Sequence, residues 1–150
     1  MNFLCDSMMG KLSKLLRMCG FDADYYKPGL NLENIKNFEG EDRVILTRNQ
    51  KFKKYVGPLK IYFSEHDDPL MQLRQVLKEF QLADKVRFLS RCMECNEEIV
   101  PVDKESVRGK VPFYVFDNYG TFLQCPKCRR VYWEGTHVEK MRDKLRRVLE

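Results

Sequence analysis

Two cysteine pairs constrain this chain more than any other feature: Cys92 and Cys95 in CMEC, and Cys125 and Cys128 in CPKC, with 29 residues between the pairs. Each C-x-x-C turn lets two thiolates reach one ion, and two such turns supply a closed tetrahedral shell of four sulfurs, the structural type of zinc site. A closed shell leaves no coordination position for water or substrate, so the expected Zn²⁺ holds the fold and does no chemistry. Such a site contributes on the order of 10 kcal/mol of folding free energy, which a small module with little core requires. Lys127, Arg129 and Arg130 offset part of the excess negative charge of four thiolates on a divalent ion. The same ligand set also suits an iron–sulfur cluster, although nothing else in the sequence suggests electron transfer. The other two cysteines, Cys5 and Cys19, sit in apolar segments and read as inert core. This usage points to metal binding in a reducing compartment, with the cytoplasm as the expected location, and not to a disulfide framework.

The rest of the chain has a different texture. NFLCD is a short apolar run closed by Asp6, and helical periodicity follows it. Met8, Leu12, Leu15, Leu16 and Cys19 share one helical direction, whereas Lys11, Lys14 and Arg17 fall on the opposite side. FDADYY reads as a second strand, NLENIKNFEGED as a short helix capped by Asn31 with Leu32, Ile35 and Phe38 at helical spacing, and RVILT as a strand buried on both faces. KIYFS follows as a further strand, and DDPLMQLRQVLKEFQ as a helix capped by Asp68, with Pro69 at its first position and Leu70, Leu73, Val76, Leu77 and Phe80 in one stripe. Strands alternating with helices imply a mostly parallel sheet flanked by helices. From Arg91 onward the pattern changes to short β-like runs, PFYVF and RVYW among them, and ends in a helix over Val138–Leu149. The expected organisation is an α/β domain over residues 1–88 and a β-rich four-cysteine module with a C-terminal helix over residues 89–150.

A net charge of +5, from 27 Lys and Arg against 22 Asp and Glu, favours a polyanionic partner. Two basic clusters are candidates for RNA contact: Lys11, Lys14 and Arg17 just after Asp6, and Arg48, Lys51, Lys53 and Lys54 with Phe52 and Tyr55 interleaved. The longest apolar run falls short of the roughly 18 residues a membrane span needs. Asp6 and the lack of a small-residue cleavage site argue against reading the opening segment as a signal peptide.

The stretches FLCDSMMGKLSKLLRMCGFDADYY, EDRVILTRN, DDPLMQLRQVL, SRCMECN, VPFYVF, FLQCPKCRRVYWEGTH and VEKMRDKL together resemble the Mut-seven C-terminal RNase domain family, and they cover nearly the whole chain. The resemblance implies a three-layer, PIN-like α/β domain followed by a zinc ribbon. It also implies carboxylates gathered around Mg²⁺ or Mn²⁺ at the carboxyl ends of the strands, and cleavage of RNA. Asp6 matches the family's first acid, but Asn31 and Asn49 stand where the family carries Asp. An amide offers a carbonyl oxygen to Mg²⁺ without charge, so two such replacements weaken a site whose affinity is mainly electrostatic.

Asp67, alternatively Asp68, is a candidate further acid, and Glu33 and Glu41 are candidate substitutes; each also reads as a plain cap or a solvated charge. Asp6 itself reads equally as a helix cap. His66 is incidental on this reading, and His137 with Trp133 seats the last helix. Three functions follow: an RNA-binding member of a ribonuclease family with a weakened metal site, an active Mg²⁺- or Mn²⁺-dependent ribonuclease, and a protein–protein adaptor. The charge arithmetic favours the first. A homo-oligomer is compatible with all three.

Overall fold

The alternation of side chains along two short strands decides how the first half is layered. The structure is a computed structural model that describes residues 1–150. Phe3–Cys5 (β1) and Val44–Thr47 (β3) are buried along their whole length, and successive residues point to opposite faces. Phe3, Cys5, Val44 and Leu46 join one core with residues of two helices, Gly10–Met18 (α1) and Pro69–Glu79 (α2), whereas Leu4 and Ile45 join a second with Leu30, Ile35 and Phe52. Ala23–Tyr25 (β2) and Ile61–Phe63 (β4) complete a four-stranded, wholly parallel sheet in the order β2-β1-β3-β4. The expected α/β layering is present, with α1 and α2 on one face and short 3-10 turns on the other.

Those turns correct two expected stripes. Residues Ser7–Met9 form a 3-10 turn and α1 begins only at Gly10, so Met9 turns inward and Met8 is 54% exposed. The NLENIKNF segment is likewise a 3-10 turn, Asn34–Phe38, that starts after Leu32; Ile35 is buried and Leu32 is left exposed. In α2 the expected stripe holds, with Leu73, Val76 and Leu77 buried and Pro69 in the first helical position. Asp68 is its N-cap, but only the backbone carbonyl serves, accepting from the Gln72 N–H at 2.9 Å.

The second half carries an antiparallel sheet of Val100–Val102 (β5), Phe122–Gln124 (β6) and Val131–Tyr132 (β7). PFYVF is not β-like: Phe113–Asn118 forms a helix (α3), and Val115 and Phe116, adjacent in sequence, are both buried against Val107 and Phe122. Adjacent burial is impossible on one face of a strand and ordinary on a helix. The last helix, Thr136–Leu149 (α4), packs on α2 and places Leu145 in the core shared with β1, α1 and α2.

Hydrogen bonds tie the two halves together. Arg17 of α1 donates from Nε to the Ala23 carbonyl and from Nη1 to the Met93 carbonyl, both at 2.8 Å. Asn96, in the left-handed region at φ 62°, accepts from the Ala23 N–H at 3.0 Å and donates to Asp22 at 2.7 Å and Asp24 at 3.1 Å. Arg43 pairs with Asp22 at 2.8 Å. Burial alone would raise the Asp22 carboxyl, but the Arg43 and Asn96 hydrogen bonds outweigh it and hold that carboxyl below its ordinary range.

Candidate functional site

Asp6 ends β1 in extended backbone, where its side chain accepts from the following N–H, and the folded sheet brings two further donors to it. Its Oδ1 accepts from the Ser7 and Leu30 N–H groups, each at 2.8 Å, and its Oδ2 from the Thr47 hydroxyl at 2.6 Å. Asp6 is 1% exposed. Thr47, which closes β3, accepts in turn from the Asn49 N–H at 3.0 Å. The result is a chain of hydrogen bonds across the carboxyl ends of β1 and β3, with the loop after β2 closing over it. Gly29, at φ +93°, belongs to that loop, and a Cβ there would lie 3.2 Å from Ser7 Oγ.

The two amides sit beside this chain and serve the backbone. Asn31 Oδ1 accepts from the Glu33 N–H at 2.9 Å and the Asn34 N–H at 2.7 Å, and Asn49 Oδ1 accepts from the Lys51 N–H at 3.0 Å. Both are turn caps, a role Asn fills well. Asp67, Asp68 and His66 lie exposed in the segment between β4 and α2, and Glu33 and Glu41 are exposed as well. None of these acids joins Asp6 in a ligating group. The four cysteines are the one place where three or more His, Cys, Asp or Glu side chains come within reach of a common ion.

The basic candidates divide. Lys11 opens α1 just beyond the Asp6 turn, and Lys51, Lys53 and Lys54 stand exposed on the 3-10 turn Gln50–Lys54 that Asn49 caps. Arg48 is half-buried and reaches the Glu65 carbonyl at 3.4 Å. Arg17, expected on an open cationic face, is 8% exposed and engaged with the Ala23 and Met93 carbonyls, because the second half of the chain docks over that side of α1. Lys14 faces the same seam and pairs with Glu94 at 3.3 Å. Phe52 and Tyr55, expected as stacking surfaces, are held inside: Phe52 is a core residue and the Tyr55 hydroxyl accepts from the Leu59 N–H at 3.2 Å. Sequence reasoning passed over Thr47, whose only signal was a hydroxyl closing an otherwise apolar strand.

The four cysteine Sγ atoms all lie within 4.8 Å of one another, and Cys92 and Cys128 are 3.7 Å apart. Sulfurs arranged tetrahedrally about 2.3 Å from an ion are separated by about 3.8 Å, so the cluster fits a metal ion such as zinc. Burial pushes the Cys92 thiol up, but hydrogen bonds from the Tyr132 hydroxyl, the Cys95 and Glu94 backbone and Cys128 outweigh it and bring the thiol down to about 7. The Tyr132 bond is 3.1 Å long, and Cys125 Sγ accepts from the Cys128 N–H at 3.5 Å. These donors favour the thiolate form that a metal requires.

No helix is long and apolar enough to cross a membrane. No curated protein and no solved structure matches the chain. The family model of the Mut7-C RNAse domain matches residues 1–145, and the chain belongs to that family.

Proposed function

We propose that this chain binds RNA along the carboxyl edge of its parallel sheet, with a metal site too poor in charge to support efficient cleavage, and that Zn²⁺ held by Cys92, Cys95, Cys125 and Cys128 serves a structural role. Membership of a ribonuclease family supports RNA as the ligand. Lys11, Arg48, Lys51, Lys53 and Lys54 supply the phosphate contacts; Arg17 and Lys14 are left to the seam. One observation carries the reading: Asp6, the acid at the centre of this edge, has both oxygens occupied by protein donors, and its neighbours Asn31 and Asn49 are neutral caps. A hard divalent cation needs several anionic oxygens to shed part of its water. Here Asp67 and the nearby glutamates do not converge with Asp6.

The test uses the zinc-loaded protein with end-labelled single-stranded RNA at millimolar Mg²⁺ or Mn²⁺. Binding is expected at low salt, with log K falling against log salt by roughly 0.7 for each phosphate neutralised. No metal-dependent cleavage is expected from the unaltered chain. Asn31→Asp with Asn49→Asp keeps both caps, since Asp caps as well as Asn, and is expected to raise metal-dependent cleavage. Cleavage by the unaltered protein at a rate the double variant does not exceed contradicts the depleted-site reading. Absence of RNA binding at low salt removes RNA altogether and leaves the protein–protein adaptor.

A further inference from the structure

A half-open cavity of about 480 Å³, a size typical of small-molecule sites, lies along the seam between the two halves. Its wall draws on segments far apart in sequence: α1, α3, β7 with the turn after it, and the start of α4. Tyr114, Tyr119, Tyr132 and Trp133 supply aromatic surface, and the charged residues are Lys14, Arg91 and Arg130 against Glu94 alone. Lys14 pairs with Glu94 and Arg91 with Glu98, so the cation left without an ion-pair partner is Arg130. Arg130 is exposed, and Arg91 keeps a buried Nε–H with no acceptor although its terminal nitrogens reach the Asn96 carbonyl and, at 3.8 Å, Glu98. Gly135 lines the same space. Its φ of −95° suits any residue, yet a Cβ there would come within 2.8 Å of Trp133 Nε1, so glycine keeps the indole edge clear. Tyr114 is 67% exposed at the rim and Phe113 beside it 88%, which extends the aromatic surface outward.

We propose that this cavity receives one unpaired base of a bound RNA strand, stacked on its aromatic wall, with the adjoining phosphate held by Arg130 and Arg91. The inference rests on the RNA-binding reading above and adds a second contact, apart from the cationic edge around Asp6. Planar rings beside guanidinium groups match a base and its phosphate, because stacking uses the π face common to all bases while the cations meet the backbone. An uncharged guest would leave Arg130 without an ion-pair partner, whereas a strand phosphate supplies one.

Trp133 is the chain's single tryptophan, so its emission reports on this wall. The full-length, zinc-loaded protein is titrated with a labelled oligoadenylate of about eight nucleotides, within the usual span of single-strand sites. Label anisotropy and Trp133 emission are read together, with AMP titrated in parallel. Saturable quenching of Trp133 in step with the anisotropy is expected. Tyr114→Ala and Arg130→Ala, both at exposed positions, are expected to weaken binding at least about fivefold. Arg130→Ala is also expected to reduce the salt slope by roughly 0.7. Anisotropy that rises with Trp133 emission unchanged, or variants that bind like the unaltered chain, overturns the proposal and leaves RNA contact elsewhere. No anisotropy change at low salt overturns this proposal and the RNA-binding reading together. Quenching by AMP without quenching by the oligonucleotide assigns the cavity to a free nucleotide and overturns the strand assignment.

Discussion

At the scale of single residues, Asp6 is bound tightly into the fold at the carboxyl end of the parallel sheet. Its carboxylate receives three protein donors with almost no solvent contact. Asp6→Ala leaves the Leu30 N–H and the Thr47 hydroxyl buried without an acceptor, so a loss of roughly 2–4 kcal/mol is expected in urea denaturation. Asp6→Asn retains a carbonyl at that position, and a loss of about 1 kcal/mol is expected. Equal losses for the two would show that the hydrogen bonds contribute little. The comparison also decides how activity data are read, since a cleavage defect in Asp6→Ala would reflect unfolding as much as lost metal. Arg17 makes the companion point for cations. Helical periodicity placed it opposite the apolar stripe, correctly, but a side opposite one core is not open when another part of the chain docks on it.

At the scale of elements, α1 and α2 were readable because helices of this length repeat an apolar stripe often enough for the period to declare itself. The six residues of α3 complete fewer than two turns, and an aromatic, β-branched run such as PFYVF fits strand propensity just as well. Pro112 and the burial of Val115 and Phe116 settle it in three dimensions. The exposure of Met8 and Leu32 has a related reason: a 3.6-residue spacing does not carry through the 3-10 turn Ser7–Met9 or into the residues before the turn Asn34–Phe38. Sequence reading gave α4 its apolar face but not its partner. Leu145 belongs to the core of the parallel-sheet half and is 4% exposed, so Leu145→Ala is expected to cost about 2–4 kcal/mol. A thermal melt that follows α/β unfolding checks this; an unchanged midpoint would mean that α4 contributes nothing to that core.

At the scale of the whole molecule, hydrogen bonds join the first C-x-x-C turn to the parallel sheet. Met93 and Asn96, within and beside the first C-x-x-C, hold Arg17, Ala23, Asp22 and Asp24. Stripping the metal with a chelator is therefore expected to remove hydrogen-exchange protection at the Ala23 amide and to lower a single unfolding transition. Two independent transitions, with the first half unmoved, would show the halves to be separable. The sequence by itself determined the α/β alternation, the parallel sheet, the paired thiols and the two amides at expected acid positions, because periodicity, turn chemistry and cysteine spacing are local and survive translation into one dimension. Only the tertiary structure decided that Asp6 is sealed by Leu30 and Thr47, that Arg17 is buried by the second half, and that Trp133, Arg91 and Arg130 share one cavity. Those outcomes depend on which surfaces come to rest against one another, and residues separated by as many as 77 positions carry no mark of that meeting in their own neighbourhoods.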